Sequence, residues 1–249
     1  ATRDLATDKY RLEKYKPDLV VNEVGAEQSL YFRQLFEIEK MLGWYKEGQR
    51  VHVGHGMFRF KEGKMSTRKG NVIWLEEVLS EAIKRAAALG NGEKNNVSQK
   101  VGIGALKWND LKGDPKRDIL FDWDEVLNMQ GNSGPYIQYT FARAGSILAK
   151  SGKDGLMESV GEPSNEDERS VLRTLYRYPE VVVEAAKNFT PQVVTTYLFG
   201  LAQRFNGFYN LNQVVGGENE DFRLRLVAAV AQVLKNGLSL LGIEVVEKM

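Results

Sequence analysis

Cysteine is missing altogether and histidine occurs only twice in 249 residues. The first absence excludes disulfides and thiolate metal sites, and the two together leave no ligand set for a structural zinc. No apolar run approaches the roughly 18 residues that a membrane-spanning helix needs. The opening Ala1-Thr2-Arg3-Asp4 lacks both a signal-peptide pattern and an initiator methionine, which predicts that something preceded it. Net charge is also nearly absent, at +1, but it is unevenly spread. Residues 1–121 hold 22 basic and 17 acidic side chains, a balance of +5, and residues 122–249 hold 12 and 16, a balance of −4. The first part can attract polyanions. The second has no basic footprint, so any nucleic-acid binding there must come from something other than charge.

What is present is enough apolar residue, 43%, for a sizeable core and two domains, expected at 1–121 and 122–249. Residues 18–54 read as a β-α-β unit. Leu19-Val20-Val21 opens a strand that Gly25 breaks. Tyr31, Leu35, Ile38 and Leu42 recur at helical spacing up to Gly43, and Val51-His52-Val53 begins a second strand. Such a unit packs as parallel sheet with a crossover helix. Asn22 and Glu23 are polar for a strand buried on both faces. A hairpin is expected around Glu62-Gly63, then a helix with Leu75, Val78, Leu79, Ala82, Ile83 and Ala86 as its stripe. After residue 122 strand signals disappear. Pro135 suits the first position of a helix, Thr190-Pro191 reads as a cap and proline start, and Phe222 to Leu241 form a last helix stopped by Gly242. The second part is therefore expected to be an all-α bundle.

The most informative segment is Gly63-Lys64-Met65-Ser66-Thr67-Arg68-Lys69-Gly70. Glycine at each end lets backbone amides approach a ligand and lets the loop swing, while Lys and Arg offer point charge and a planar donor fork to phosphate oxygens. A basic glycine-flanked loop is by itself equally consistent with a solvated turn. The order Lys64-Met65-Ser66 followed by further cations, however, resembles the KMSKS loop of class I aminoacyl-tRNA synthetases, in the form seen in arginyl-tRNA synthetases. Thr2-Arg3-Asp4 and Gly25-Ala26-Glu27-Gln28-Ser29-Leu30-Tyr31-Phe32 are similar to segments of the same family.

Gly131 to Arg143 carries a third constellation. At 100° per residue, Tyr136, Tyr139 and Arg143 fall within about 60° of one another, whereas Ile137, Phe141, Ala144 and Leu148 form a second face. The first face can pack on a neighbouring helix, or it can stack unpaired bases with Arg143 adding cationic and planar contact. The segment resembles the first helix of the arginyl-tRNA synthetase anticodon-binding domain, and Tyr209 and Met249 match other positions that touch the anticodon loop in that family. Gln213 replaces an aromatic found in some members.

The resemblance runs over the whole chain. It implies the second half of a Rossmann-like class I catalytic domain with its KMSKS loop, followed by an α-helical anticodon-binding domain, as the C-terminal portion of a longer arginine–tRNA ligase. It implies a cytoplasmic monomer that takes arginine, ATP with Mg²⁺ as substrate, and arginine tRNA, with no protein-bound metal and no membrane. Lys64, Ser66, Arg68 and Lys69 become the catalytic residues. His52, Val53 and Gly54, with Lys64, Met65 and Ser66, become the ATP-binding set, and Asp4 and Gln28 hold the substrate arginine. Tyr136, Tyr139, Arg143, Tyr209 and Met249 meet the anticodon. His52-Val53-Gly54-His55 is similar in letters to the HIGH signature, but that signature belongs at a helix start far upstream of the KMSKS loop. Here it reads as strand chemistry, and a true HIGH segment is absent. Thr67 stands where the second KMSKS lysine lies, so Arg68, Lys69 or a lysine elsewhere must replace it. A free-standing, non-catalytic tRNA-binding module and a different class I synthetase, such as a cysteinyl enzyme, are the alternatives.

Overall fold

The computed structural model describes residues 2–60, 74–90, 92, 95–153 and 161–249. Packing divides the chain into two units, Ala1–Arg59 with Pro115–Leu120, and Phe60–Asp114 with Phe121–Met249.

In the first unit, helix α1 (Thr2–Tyr15) precedes strand β1 (Val20–Gly25). A 3₁₀ turn (Ala26–Gln28) leads into helix α2 (Ser29–Met41), which returns the chain to strand β2 (Arg50–His55). β1 and β2 pair in parallel with Val20 opposite Arg50 and Gly25 opposite His55, the β-α-β unit expected from the change of periodicity. β1 alternates in exposure, and Glu23 points to its exposed side, which removes the conflict with a strand buried on both faces. The buried face of α2 is Phe32, Leu35 and Glu39. Ile38 and Leu42, expected in the core stripe, are 38% and 52% exposed. The reason is Arg50 at the start of β2, whose guanidinium lies 4.7 Å from the Phe36 ring and within ion-pair distance of Glu39, so this face of the helix turns inward.

Arg50 is the centre of a buried charge cluster. Its Nη2 lies 2.8 Å from Asp8 of α1 and its Nε 2.8 Å from Glu39, while Arg11 reaches Asp8 from the rim at 2.9 Å. Burial pushes the Glu39 carboxyl up to about 7, aided by Asp8 and opposed by Arg50.

Strand β3 (Phe58–Phe60) pairs with strand β4 (Ile119–Phe121), Met57 O accepting from Ile119 N at 2.9 Å. The other arm of the hairpin expected after β3 lies outside the described residues. Gly56 makes the approach to residues 115–118 possible: its N donates to Pro115 O at 2.7 Å, and a Cβ there would sit 2.2 Å from Arg117 O.

Apart from Phe60 and Phe121, the ends of β3 and β4, the regular elements described in the second unit are helices: α3 (Leu75–Leu89), α4 (Asn96–Leu111), α5 (Trp123–Val126), α6 (Gly134–Ser151), α7 (Glu166–Tyr176), α8 (Tyr178–Asn188), α9 (Gln192–Leu211) and α10 (Glu220–Leu240). A reciprocal capping box between Asn95 and Ser98 starts α4. Gly102 lets α4 lie against α3, since a Cβ would sit 2.8 Å from the Ala82 backbone. Ser133 caps α6, which puts Pro135 at its second position, one residue later than expected. α9 begins after Pro191 with no side-chain cap, so Thr190 does not play the capping part expected of it. The core runs through Ile137, Phe141 and Ala144 of α6, Val171 of α7, Leu198, Leu201 and Phe205 of α9, and Leu224 to Leu238 of α10.

Two polar fixtures hold this bundle. Glu168, fully buried at the start of α7, pairs with Arg223 of α10 at 2.7 Å and accepts from Ser164 and Asn165. Burial opposes its ionisation, but Arg223 and the Ser164 amide and hydroxyl outweigh it and hold the carboxyl below its usual range. The second fixture is Gln138 of α6, fully buried, whose Nε2 donates to Lys100 O at 3.1 Å and to Glu244 O at 2.8 Å. It clamps the C-terminal segment, with Ile243 and Val246 buried, onto α4. No described helix is long and apolar enough to cross a membrane.

Candidate functional sites

In the first unit the described candidate residues lie toward one edge of the sheet. The carboxyl ends of parallel strands are where α/β folds bind ligands, because the chain turns there into loops and helix starts that leave polar groups outward. Gly25 and His55 lie side by side at that edge. Gln28, three residues beyond β1, is exposed at the start of α2. His52 stacks on Phe32 with ring centroids 4.6 Å apart, and its Nε2 donates to Val24 O at 3.0 Å, so it braces the strand pair from within β2. His55 donates from Nδ1 to Gly56 O at 2.9 Å. His52-Val53-Gly54-His55 is therefore strand, with no helix start in it, as its reading apart from HIGH requires.

Asp4 in the first turn of α1 joins this edge through Tyr31 of α2, whose hydroxyl donates to Asp4 Oδ2 at 2.5 Å. That bond lowers the Asp4 pKa and raises that of Tyr31. Asp4 is thus an anion at neutral pH on an exposed surface, and Gln28 is exposed just before the turn of α2 that carries Tyr31; a carboxylate and an amide are groups suited to a cation. Sequence reasoning gave Tyr31 no role; the signal for it was its place three residues after Gln28. Lys64, Met65, Ser66, Arg68 and Lys69 lie outside the described residues.

In the second unit the structure brings together most of the expected face and adds a residue to it. Arg143 lies over the Tyr139 ring at 4.8 Å and over the Tyr209 ring of α9 at 5.7 Å. Its Nη2 donates to Tyr139 Oη at 3.1 Å and its Nη1 to Asn206 Oδ1 at 2.6 Å. Asn206 Nδ2 in turn donates to Tyr136 Oη at 3.0 Å and Thr140 Oγ1 at 3.1 Å. Tyr136 also packs edge-on to Phe199 with centroids 5.7 Å apart, and both it and Tyr209 border the core. Tyr136 and Tyr209 thus each lean on the core while remaining partly exposed, and Tyr139, also partly exposed, lies under Arg143. Met249, at the end of the clamped segment, is 46% exposed. Asn206 escaped sequence reasoning, although it sits three residues before Tyr209 and so on the same side of α9.

Residues 1–123 match the catalytic domain of the class I (R) tRNA synthetases, and residues 137–249 match the DALR anticodon binding domain. Together these are two parts of a class I synthetase of the arginine type. The chain belongs to the arginyl-tRNA synthetase family. It is 41% identical over 258 residues to the arginine–tRNA ligase of Clostridium acetobutylicum and 38% over 263 residues to that of Chloroflexus aurantiacus, in each case across 100% of this chain and 46% of the relative. The chain therefore spans about half the length of these curated relatives. Among solved structures it resembles the Thermus thermophilus arginyl-tRNA synthetase, with a TM-score of 0.83 and 30% identity over 93% of this chain and 41% of that one. The Plasmodium falciparum arginyl-tRNA synthetase gives a TM-score of 0.85 and 25% identity over 99% of this chain and 44% of that one.

Proposed function

We propose that this chain supplies residues 1–121 as part of the catalytic domain, and residues 122–249 as the anticodon-binding domain, of a cytoplasmic, monomeric arginine–tRNA ligase. The colinear match of catalytic and anticodon-binding families along one chain, with the Tyr-Arg face in the second of them, carries the reading. The reaction joins arginine and ATP, with Mg²⁺ in attendance, as an adenylate, releases pyrophosphate, and passes the arginyl group to the terminal ribose of tRNA. Asp4 and Gln28 take the substrate's positive end, since a carboxylate and an amide oxygen at a strand edge are acceptors for guanidinium donors. The backbone of His52-Val53-Gly54 offers an edge to adenine. Lys64, Arg68 and Lys69, with Ser66 between them, stabilise charge growing on the leaving pyrophosphate.

The second part stacks anticodon bases on Tyr136, Tyr139 and Tyr209, with Arg143 and Met249 beside them. Stacking is worth roughly 1–3 kcal/mol per base, which explains how a domain of net charge −4 binds RNA. The test is affinity of the 249-residue chain for an arginine tRNA and for the same tRNA with its anticodon bases replaced. Tighter binding of the authentic anticodon, lowered at least tenfold by Tyr136→Ala without early melting, is the expected result. Equal binding of both RNAs overturns it. In a protein that joins this chain to a HIGH-bearing half, Lys64→Ala should slow arginine activation by the equivalent of about 3 kcal/mol. An unchanged activation rate would make the loop structural.

A further inference from the structure

We infer that Asn206 is a positioning residue that sets the hydrogen-bond polarity of the Tyr-Arg face, making it a surface that selects hydrogen-bond acceptors on RNA. This rests on the anticodon reading above. A guanidinium has only donors, so the group 2.6 Å from Arg143 Nη1 must be the oxygen of the Asn206 amide. The amide nitrogen is then fixed toward Tyr136 Oη and Thr140 Oγ1. The Thr140 proton is already given to Tyr136 O at 2.8 Å, so that hydroxyl can receive the amide N–H, and the network closes without conflict. Tyr136 Oη also receives an N–H, and Tyr139 Oη receives one from Arg143.

Each phenol therefore has its oxygen engaged from inside and its own proton unspent. Among the described residues neither proton has an acceptor. The face presents two O–H donors beside the remaining N–H groups of Arg143, and the partner it fits is a carbonyl oxygen, a ring nitrogen with a lone pair, or a backbone oxygen of RNA. An exocyclic amino group meets like with like there, a donor against donors.

Asn206→Asp keeps the shape and the oxygen facing Arg143 but replaces the N–H donors with a second acceptor. Tyr136 must then turn its proton inward, and the outward donor is lost. Affinity of the 249-residue chain for an arginine-tRNA anticodon stem-loop should fall at least tenfold in Asn206→Asp and in Tyr136→Phe. The double variant should fall no further than either one, because both delete the same proton. The same four proteins measured on a stem-loop with abasic anticodon positions assign the acceptor: a Tyr136→Phe effect that vanishes places it on a base, and one that persists places it on the ribose–phosphate backbone. Asn206→Asp binding as tightly as the parent, or losses that multiply in the double variant, overturns the inference while leaving the anticodon reading intact. Parental chain that does not distinguish the stem-loop from its abasic form, with Tyr136→Ala as good as the parent, removes the anticodon reading itself.

Discussion

Arg50 in the first unit and Arg223 in the second are each sealed beside a buried glutamate, yet the two glutamates titrate in opposite directions. Arg50 serves two carboxylates, Asp8 and Glu39, and shares only Asp8 with Arg11. Glu168 shares Arg223 with no second carboxylate at that distance among the described residues, and it adds the Ser164 amide and hydroxyl and the Asn165 amide. Both carboxylates are closed off from solvent, though Glu39 lies the deeper of the two. Depth of burial raises Glu39 first, and the number of donors per negative charge, lower there than at Glu168, fails to offset it.

The largest effect that could break this contrast is Arg223→Met. It leaves Glu168 buried with neutral donors alone and should cost about 3–5 kcal/mol at pH 7, read from urea unfolding of the helical unit. A loss well below 1 kcal/mol would mean that Ser164 and Asn165 suffice, and the arginine would cease to be the distinguishing element. Arg50→Met should cost about 3 kcal/mol at pH 8 and clearly less at pH 5, where Glu39 can hold a proton. Equal losses at both pH values would sink the account in which Glu39 takes up that proton.

The parental chain supplies a third measurement. A carboxyl whose folded pKa stands near 7, above the ordinary 4.5, contributes stability that is present below 4.5 and lost as pH rises through 7. The first unit should therefore melt at a higher temperature at pH 5 than at pH 8. It holds Trp44 as its one tryptophan, so the fluorescence of a variant retaining Trp44 alone reports it. Glu39→Gln should flatten that dependence. Glu168, depressed, works the other way: its contribution is present above 4.5 and lost as pH falls through its folded value. A first unit that weakens on acidification down to pH 5 would refute the assignment to Glu39. The smallest change expected is Tyr45→Phe, which removes a 3.3 Å bond to Asp8 O at the edge of the same cluster. It should alter stability by less than about 1 kcal/mol, with no change in the pH profile.

The β-α-β unit was legible because its apolar period changes twice between Leu19 and Val53, and two-face geometry made the Tyr136, Tyr139 and Arg143 surface legible in the same way. What stayed hidden has one cause in common. Asp8 and Glu39 are charged residues at core positions, and periodicity counts them as surface; the distant Arg50, which pairs with both, makes their burial tolerable. Helix α1 escaped notice because it buries Asp8 where an apolar residue would have marked the stripe. Asn206 likewise acquires its meaning from partners 63 and 70 residues away, a relation that no local spacing contains.

Gln138 gives α6 a property that neither its capping nor its core packing supplies. It grips Lys100 O and Glu244 O on a side of the helix that Tyr136 and Tyr139 do not share, two residues after one and directly before the other. Rolling the helix about its axis would tear both carbonyls from the amide and leave them dry. The aromatic pair behaves as a fixed jig rather than a swivelling hand, and on the proposed anticodon reading the conformational adjustment falls to the RNA loop.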